Sequence, residues 1–385
     1  MSTAESGYGF RTLYTVSEFA AIRDEWHSLF VRSACGTVSM TAASVHAVLA
    51  HMKNATITPC VVVAFRNEQL VGGILLMLHQ AIGGLRISTF ADHQSYGVDI
   101  LAEQQDADTP AAMLAQLRTS FPSAFSLTLA DIRADSNTNY AAESLRGYAA
   151  HRDERRRASY FEVPDSDEAL RAALSSNFRK NLRKQEARLH EADNVTFRFV
   201  EAADSSNRHF ELFTDLEASG WKGEAGTAIR SQPTLHSFYA TFTEELARDG
   251  LLEWHFLEAG GRSIGAHLAV RIGASITLLK IAYDESHATL SPGNMLFLAL
   301  VRREIESGAS LIIDCLTDMP WHRNWKMQSR THFTVTLYPR LPIPLVFGYA
   351  PTLLADALRA NSRVRNLVRR FRNIRLNAAS TEPAK

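Results

Sequence analysis

Apolar positions along the chain switch repeatedly between helical and strand-like spacing. Phe19, Ile22, Trp26 and Leu29 recur every three or four residues behind Ser17, a residue type that caps helix starts. Residues 60–65 and 70–78 are near-continuous apolar runs joined by Arg66-Asn67-Glu68-Gln69, which predicts a hairpin. Residues 85–90 and 125–129 read as further strands, with a helix from about Pro110 between them.

After a charge run, His151 to Arg157, a helix is predicted from Ser166 or Asp167 to about Leu189. Leu170, Leu174, Phe178 and Leu182 form its apolar stripe, and Arg171, Arg179, Lys180, Arg183, Lys184 and Arg188 cover the rest. The second half then repeats the layout of the first. A strand (195–200) precedes helices 204–219 and 234–248, strands 252–258 and 263–272 turn at Gly260-Gly261, and strand 275–283 leads to a helix from Pro292 to Ser307. A buried-looking strand, 311–316, follows, and 332–338 is expected to close the sheet. The shared order argues for two copies of one α/β unit. The expected divisions are residues 1–157, residues 158–345 and a basic tail, 346–385.

Composition adds exclusions. With 46% hydrophobic and 21% charged residues, the 385-residue chain is ordinary for a globular protein of about two domains. Forty-one basic residues balance forty-one acidic ones, so no global charge draws it to DNA. Cys35, Cys60 and Cys315 are scattered and odd in number, which excludes a disulfide framework or a CxxC zinc module and fits a reducing cytoplasm. Neither a leader-like start nor an apolar run approaching the roughly 20 residues of a membrane span is visible. No P-loop, GxGxxG, GxSxG, HExxH or deaminase pattern occurs, and no metal is expected.

Candidate chemistry gathers in three places and the tail. The first is the strand-to-helix join from Tyr283 to Asn294, where Ser291 suits a cap, Pro292 a first helical position and Gly293 a close backbone approach. Free amides at such a helix start can bind phosphate; a ligand-free capped helix is the plainer alternative. The second is Asp314, Asp318, Trp321, His322 and Trp325 after the buried-looking strand. His322 would titrate near neutrality and could act as a base, and Asp314 is an aspartate in an apolar strand; each also has a purely structural reading. The third is the loop Trp221-Lys222-Gly223-Glu224-Ala225-Gly226-Thr227. In the tail, Val364, Leu367, Val368 and Phe371 form an apolar stripe among arginines, suited to an anionic membrane surface, an acidic partner or docking on the protein body.

At these residues the second half resembles the GNAT-like acyltransferases of the CelD/BcsL type, distant relatives of the FemAB-like transferases with two GNAT folds. The matching pieces are residues 177–184, Trp221-Lys222-Gly223 with 226–229, 261–266, Ala282-Tyr283-Asp284 running to Ser291-Pro292-Gly293, and 308–325. The first half matches in layout, including Ser95-Tyr96-Gly97-Val98-Asp99, as a degenerate copy. The resemblance implies an α/β fold, an α+β sheet with flanking helices, made of two tandem GNAT-like domains. It implies acetyl-CoA or another acyl-CoA as co-substrate, with Tyr283 beside the thioester and Ser291, Gly293 and Asn294 at the pyrophosphate. His322, Asp314 and Asp318 are then the expected catalytic residues, His322 standing where the family carries lysine. Trp221, Lys222 and Arg179 are expected to bind the acceptor, by analogy a small molecule or glycan in bacterial polysaccharide biosynthesis. A Fem-like aminoacyl-tRNA-dependent transferase and a non-catalytic partner in envelope or exopolysaccharide assembly are the alternatives. A cytoplasmic protein, peripheral at the inner membrane face through its tail, completes the expectation.

Overall fold

The computed structural model describes residues 7–33, 37–81, 83–90, 97–104, 106–308 and 311–360. The first half runs β1 (Tyr8–Leu13), α1 (Val16–Ala20), α2 (Arg23–Arg32), α3 (Ala42–His51), β2 (Ile57–Arg66), β3 (Gln69–Ala81) and β4 (Gly84–Thr89). It continues through a short β5 (Leu101–Ala102), α4 (Asp108–Ser120), β6 (Ala124–Arg133), α5 (Asn137–Ser144) and β7 (Tyr148–Glu162). Helices α6 (Asp167–Ala173) and α7 (Ser176–His190) lead into the second half. There follow β8 (Thr196–Glu201), α8 (Asn207–Ser219), α9 (Trp221–Glu224), α10 (Pro233–Arg248), β9 (Leu252–Ala259), β10 (Arg262–Ile272) and β11 (Ser275–Tyr283). Last come α11 (Pro292–Glu306), β12 (Ile312–Asp314), β13 (Gln328–Pro339), α12 (Pro342–Pro344), a π-helical turn (Leu345–Tyr349) and α13 (Ala350–Ala360).

One sheet joins both halves, in the order β1-β2-β3-β4-β6-β13-β7-β12-β11-β10-β9-β8, with β5 on β3. Read from either end, the order is the same if the short β5 is left out and each half is numbered from its own start. Two tandem GNAT-like units therefore sit about a pseudo-two-fold axis and exchange their last strands. β7, which ends the first unit, pairs with β12 of the second, and β13 pairs with β6 of the first. The segment expected to close the sheet thus lies at its centre, and the charge run 151–157 lies inside β7. The exchange welds the halves, as does a shared core in which Phe90 meets Phe238 at 6.2 Å between ring centroids. Buried Arg23 also donates to Glu245 (2.6 and 3.0 Å) and to Asp249 (2.8 Å) across the two units.

Local departures have local causes. Thr15, not Ser17, caps α1, in a reciprocal box with Glu18. The long helix expected from 166 breaks at Leu174, whose extended backbone lets Ser175 restart α7 by accepting the Phe178 N–H at 3.3 Å. The strand expected over 311–316 narrows to Ile312–Asp314, a shortening that opens the site below. The Ser95-Tyr96 match, Cys35 and the tail beyond Ala360 lie outside the described residues. Among the described residues, no helix is long and apolar enough to cross a membrane.

Candidate active site

β11 and β12 run parallel and pair at three positions only, ending at Thr277↔Asp314. Beyond that point they diverge. β11 carries a bulge: Leu278 pairs with Ala269 and Lys280 with Leu268, leaving Leu279 as an extra residue. A bulge bends and twists its strand, and here it coincides with the start of the gap. The corresponding first-half pair, β4 and β6, holds together over Leu85–Ser88, and the Thr89 hydroxyl then accepts the Ala130 N–H at 2.9 Å.

The gap in the second half is a cavity of about 660 Å3. That lies in the ordinary range for small-molecule sites, roughly 300–1,000 Å3. Leu278, Leu279, Ile281, Pro292, Cys315 and Leu316 give it apolar walls. Tyr283, Ser291, Gly293 and Asn294 also line it. Ser291 sits in a left-handed conformation (φ 51°) and its side chain caps nothing; its carbonyl takes the Met295 N–H at 3.1 Å. The amides of Gly293 and Asn294 precede the first intrahelical donor, so they are left for a ligand. A Cβ built on Gly293 would meet no atom within 4 Å. An anionic group fits this helix start: oriented donors, the positive pole of a fifteen-residue helix, and room for close approach. The Asn294 side chain is committed elsewhere, its Oδ1 accepting the Trp325 indole N–H at 3.3 Å.

Three expected site residues, Asp314, Asp318 and Arg179, make other contacts. Asp314 ties down its own turn, accepting the Leu316 N–H at 2.8 Å, and faces Arg330 at 3.5 Å. Asp318 accepts the Ser159 hydroxyl at 3.2 Å. Neither lines the cavity. Arg179 donates to the carbonyls of Arg171 and Leu174, both at 2.8 Å, and so caps the end of α6 rather than an acceptor. The Trp221 side chain lies outside what the structure describes.

His322 does line the cavity and is buried, which pushes its pKa down to about 4 despite the attraction of Asp318. Its Nδ1 accepts the Met319 N–H at 3.1 Å, so the neutral ring carries its hydrogen on Nε2. In that form His322 presents a donor, not a base. Lys222 also lines the cavity, held at 2.7 Å by buried Glu217, whose other oxygen accepts the Ile229 N–H at 2.9 Å. Cys315 is in the wall, but burial raises its thiol far above neutrality, which makes it a poor nucleophile.

A buried chain absent from the sequence reading reaches the same cavity. His267, on β10, lines it, and His255 stands opposite on β9 with Nδ1 to Nδ1 at 3.4 Å. His255 Nε2 lies 3.0 Å from Glu253. Burial works against the Glu253 charge, but hydrogen bonds from His255 and Arg271 outweigh it and keep the carboxyl well below its usual range. Burial likewise holds both imidazoles below their usual pKa. The tautomers follow in sequence. An ionised Glu253 needs the hydrogen on His255 Nε2; the bare His255 Nδ1 then accepts from His267 Nδ1–H; and His267 Nε2 keeps its lone pair. No hydrogen-bond partner of that nitrogen occurs among the described residues.

Residues 176–323 match the family described as acetyltransferase (GNAT) domain. That segment, in the second half, is similar to a GNAT acetyltransferase domain. The match encloses the whole cavity lining, while the first unit is GNAT-like in topology. Among solved structures, FemX is similar at 11% identity and TM-score 0.60, over 84% of this chain and 97% of that one. The C-terminal domain of a lysylphosphatidylglycerol synthetase-type protein from Agrobacterium fabrum is similar at 10% identity and TM-score 0.53, over 87% and 96%. A conserved Bacteroides thetaiotaomicron protein of unknown function gives 11% and 0.53, over 83% and 97%. At these identities the likeness is one of fold. No curated protein matches the sequence. Among the described residues, no group of three or more His, Cys, Asp or Glu side chains is arranged to hold a metal ion.

Proposed function

We propose that the cavity between β11 and β12 binds an acyl-CoA, and that the acyl group passes directly to an amine or hydroxyl acceptor. One observation carries this reading: an apolar cleft between diverging parallel strands ends on an uncapped helix start. The apolar walls suit a pantetheine arm, and the Gly293 and Asn294 amides suit its pyrophosphate. The acceptor N–H or O–H attacks the thioester carbonyl as its proton passes to His267 Nε2. The C–S bond then breaks and the CoA thiolate leaves. Glu253 stays ionised and, through His255, stabilises the positive charge that develops on His267, as a carboxylate does behind a catalytic histidine. His322 Nε2–H supplies a donor for negative charge on the reacting oxygen or the departing sulfur. The protonated thiol of Cys315 favours direct transfer over an acyl-cysteine. The CelD/BcsL-type resemblance puts a glycan precursor in the acceptor role.

Calorimetric titration with acetyl-CoA and free CoA tests this: saturable binding supports it, and no binding to any CoA thioester sinks it. The FemX likeness, which spans both units, favours a second reading with aminoacyl-tRNA as donor. Exposed Lys180, Arg183, Lys184 and Arg188 on α7 would then meet the RNA, and binding of charged tRNA with steep salt dependence would decide for it.

A further inference from the structure

Past β13 the chain forms a continuous helical segment: α12, the π-turn and α13. Its inner side is fastened. Gly348 is buried against Tyr338 and Phe125, where a Cβ would come within 2.5 Å of the Tyr338 ring, and Asp356 binds His151 at 2.5 Å. Its outer side is not covered by other described residues. Leu341, Ile343, Val346, Phe347, Leu353, Leu354 and Leu358 are all largely exposed, Phe347 at 71%. Ile343, Phe347, Leu354 and Leu358 follow one helical face. Single exposed apolar side chains are common, but seven in one short segment form the kind of patch that marks a contact surface.

Charge identifies the occupant. Between Asp356 and Glu382 the sequence holds seven arginines (359, 363, 365, 369, 370, 372 and 375) and no acidic residue. A second copy would carry the same arginine-rich sequence and be repelled by it. A bilayer with anionic headgroups satisfies both features, taking the apolar side chains into its interface and the arginines at its surface. We propose that this segment seats the protein on an anionic membrane surface. The proposal is independent of the acyl-transfer reading.

Flotation of the full-length protein with phosphatidylglycerol/phosphatidylcholine vesicles, against phosphatidylcholine alone, tests it. Binding to the anionic vesicles is expected, at least about tenfold stronger than to neutral ones and weakened by added salt. Phe347→Ser with Leu354→Ser should cut that binding about tenfold with unchanged thermal stability, because both side chains are exposed. Arg369→Gln, Arg370→Gln and Arg372→Gln together should cut it as well. The proposal is overturned if wild type ignores anionic vesicles, if the serine variants bind equally well, or if a concentration-dependent dimer covers the patch. Absence of vesicle binding with a lower melting temperature in the serine variants would instead assign the patch to the tail's own apolar stripe.

Discussion

Gly293 allows the protein and its ligand to be perturbed in opposite directions. The residue is the second of α11, its φ is not left-handed, and a Cβ there meets nothing within 4 Å. Glycine within a helix costs roughly 0.5–1 kcal/mol relative to alanine, so Gly293→Ala should leave stability unchanged or raise it by up to about that amount. The open space around that position is the proposed pyrophosphate site. A charge-assisted hydrogen bond contributes about 1.5–3 kcal/mol, so displacing the phosphate from one amide should weaken binding about tenfold to a hundredfold. Gly293→Leu, which projects further, should sit at the upper end. Calorimetry with acetyl-CoA gives the affinity, and thermal unfolding with and without ligand gives an independent check. At a ligand concentration of about 100 Kd, the wild type should gain about 2.7 kcal/mol; a variant binding tenfold more weakly should gain about 1.4 kcal/mol. If Gly293→Leu binds within about twofold of wild type, the helix start is not the phosphate site, and the mechanism built on it fails.

Four other expectations follow from buried positions. His267→Gln should reduce acetyl transfer, or slow acetyl-CoA hydrolysis when water is the acceptor, by about a hundredfold while CoA affinity is retained; an undiminished rate removes His267 as the base. Glu253→Gln should do less and shift the pH profile of the rate, a readout that mere loosening of the sheet would not move. His322→Asn keeps an oxygen acceptor for the Met319 N–H but removes a group whose folded pKa is about 4 against about 6.5 unfolded. Between those values the unfolded chain binds a proton that the folded chain does not, so stability is lost as pH is lowered through this window. The histidine accounts for about 2 kcal/mol of the loss between about pH 7 and pH 4.5. Urea unfolding at the two pH values should show the variant losing less by that margin; equal losses would place the ring in a solvated setting. Gly348→Val should destabilise by about 1–3 kcal/mol through its clash with the Tyr338 and Phe125 rings, read as a lower urea midpoint.

The repeated order of elements was legible because each strand and helix carries its own period: the run before Gly260-Gly261, the run after it, and the Pro292 helix all stand where their spacing puts them. The exchange of last strands was not legible. Local periodicity reports which face of a strand is buried, not which strand lies beside it. Residues 151–157 look like a linker because charged side chains can flank a central strand where both faces reach solvent or a stacking partner. Arg152, for example, lies 3.7 Å over the Phe333 ring on β13. The helix start at the cavity could be read from Ser291-Pro292-Gly293, since a helix start is a local event. The base could not. A two-residue turn at Gly260-Gly261 pairs Ala259 with Arg262, and unbroken register would place His267 opposite Trp254. The register shifts between Ser263 and Gly265, leaving Ile264 unpaired, and that single step brings His255 opposite His267. One residue of slip changes which face a side chain takes. The Glu253–His255–His267 chain therefore depends on a bulge that the sequence marks only with an alternation broken at Ile264-Gly265-Ala266. The same kind of defect at Leu279 opens the cleft on the neighbouring strand. Two bulges on adjacent strands thus set both the cavity and the position of the proposed base beside it. Straightening either should cost activity well before it costs the fold.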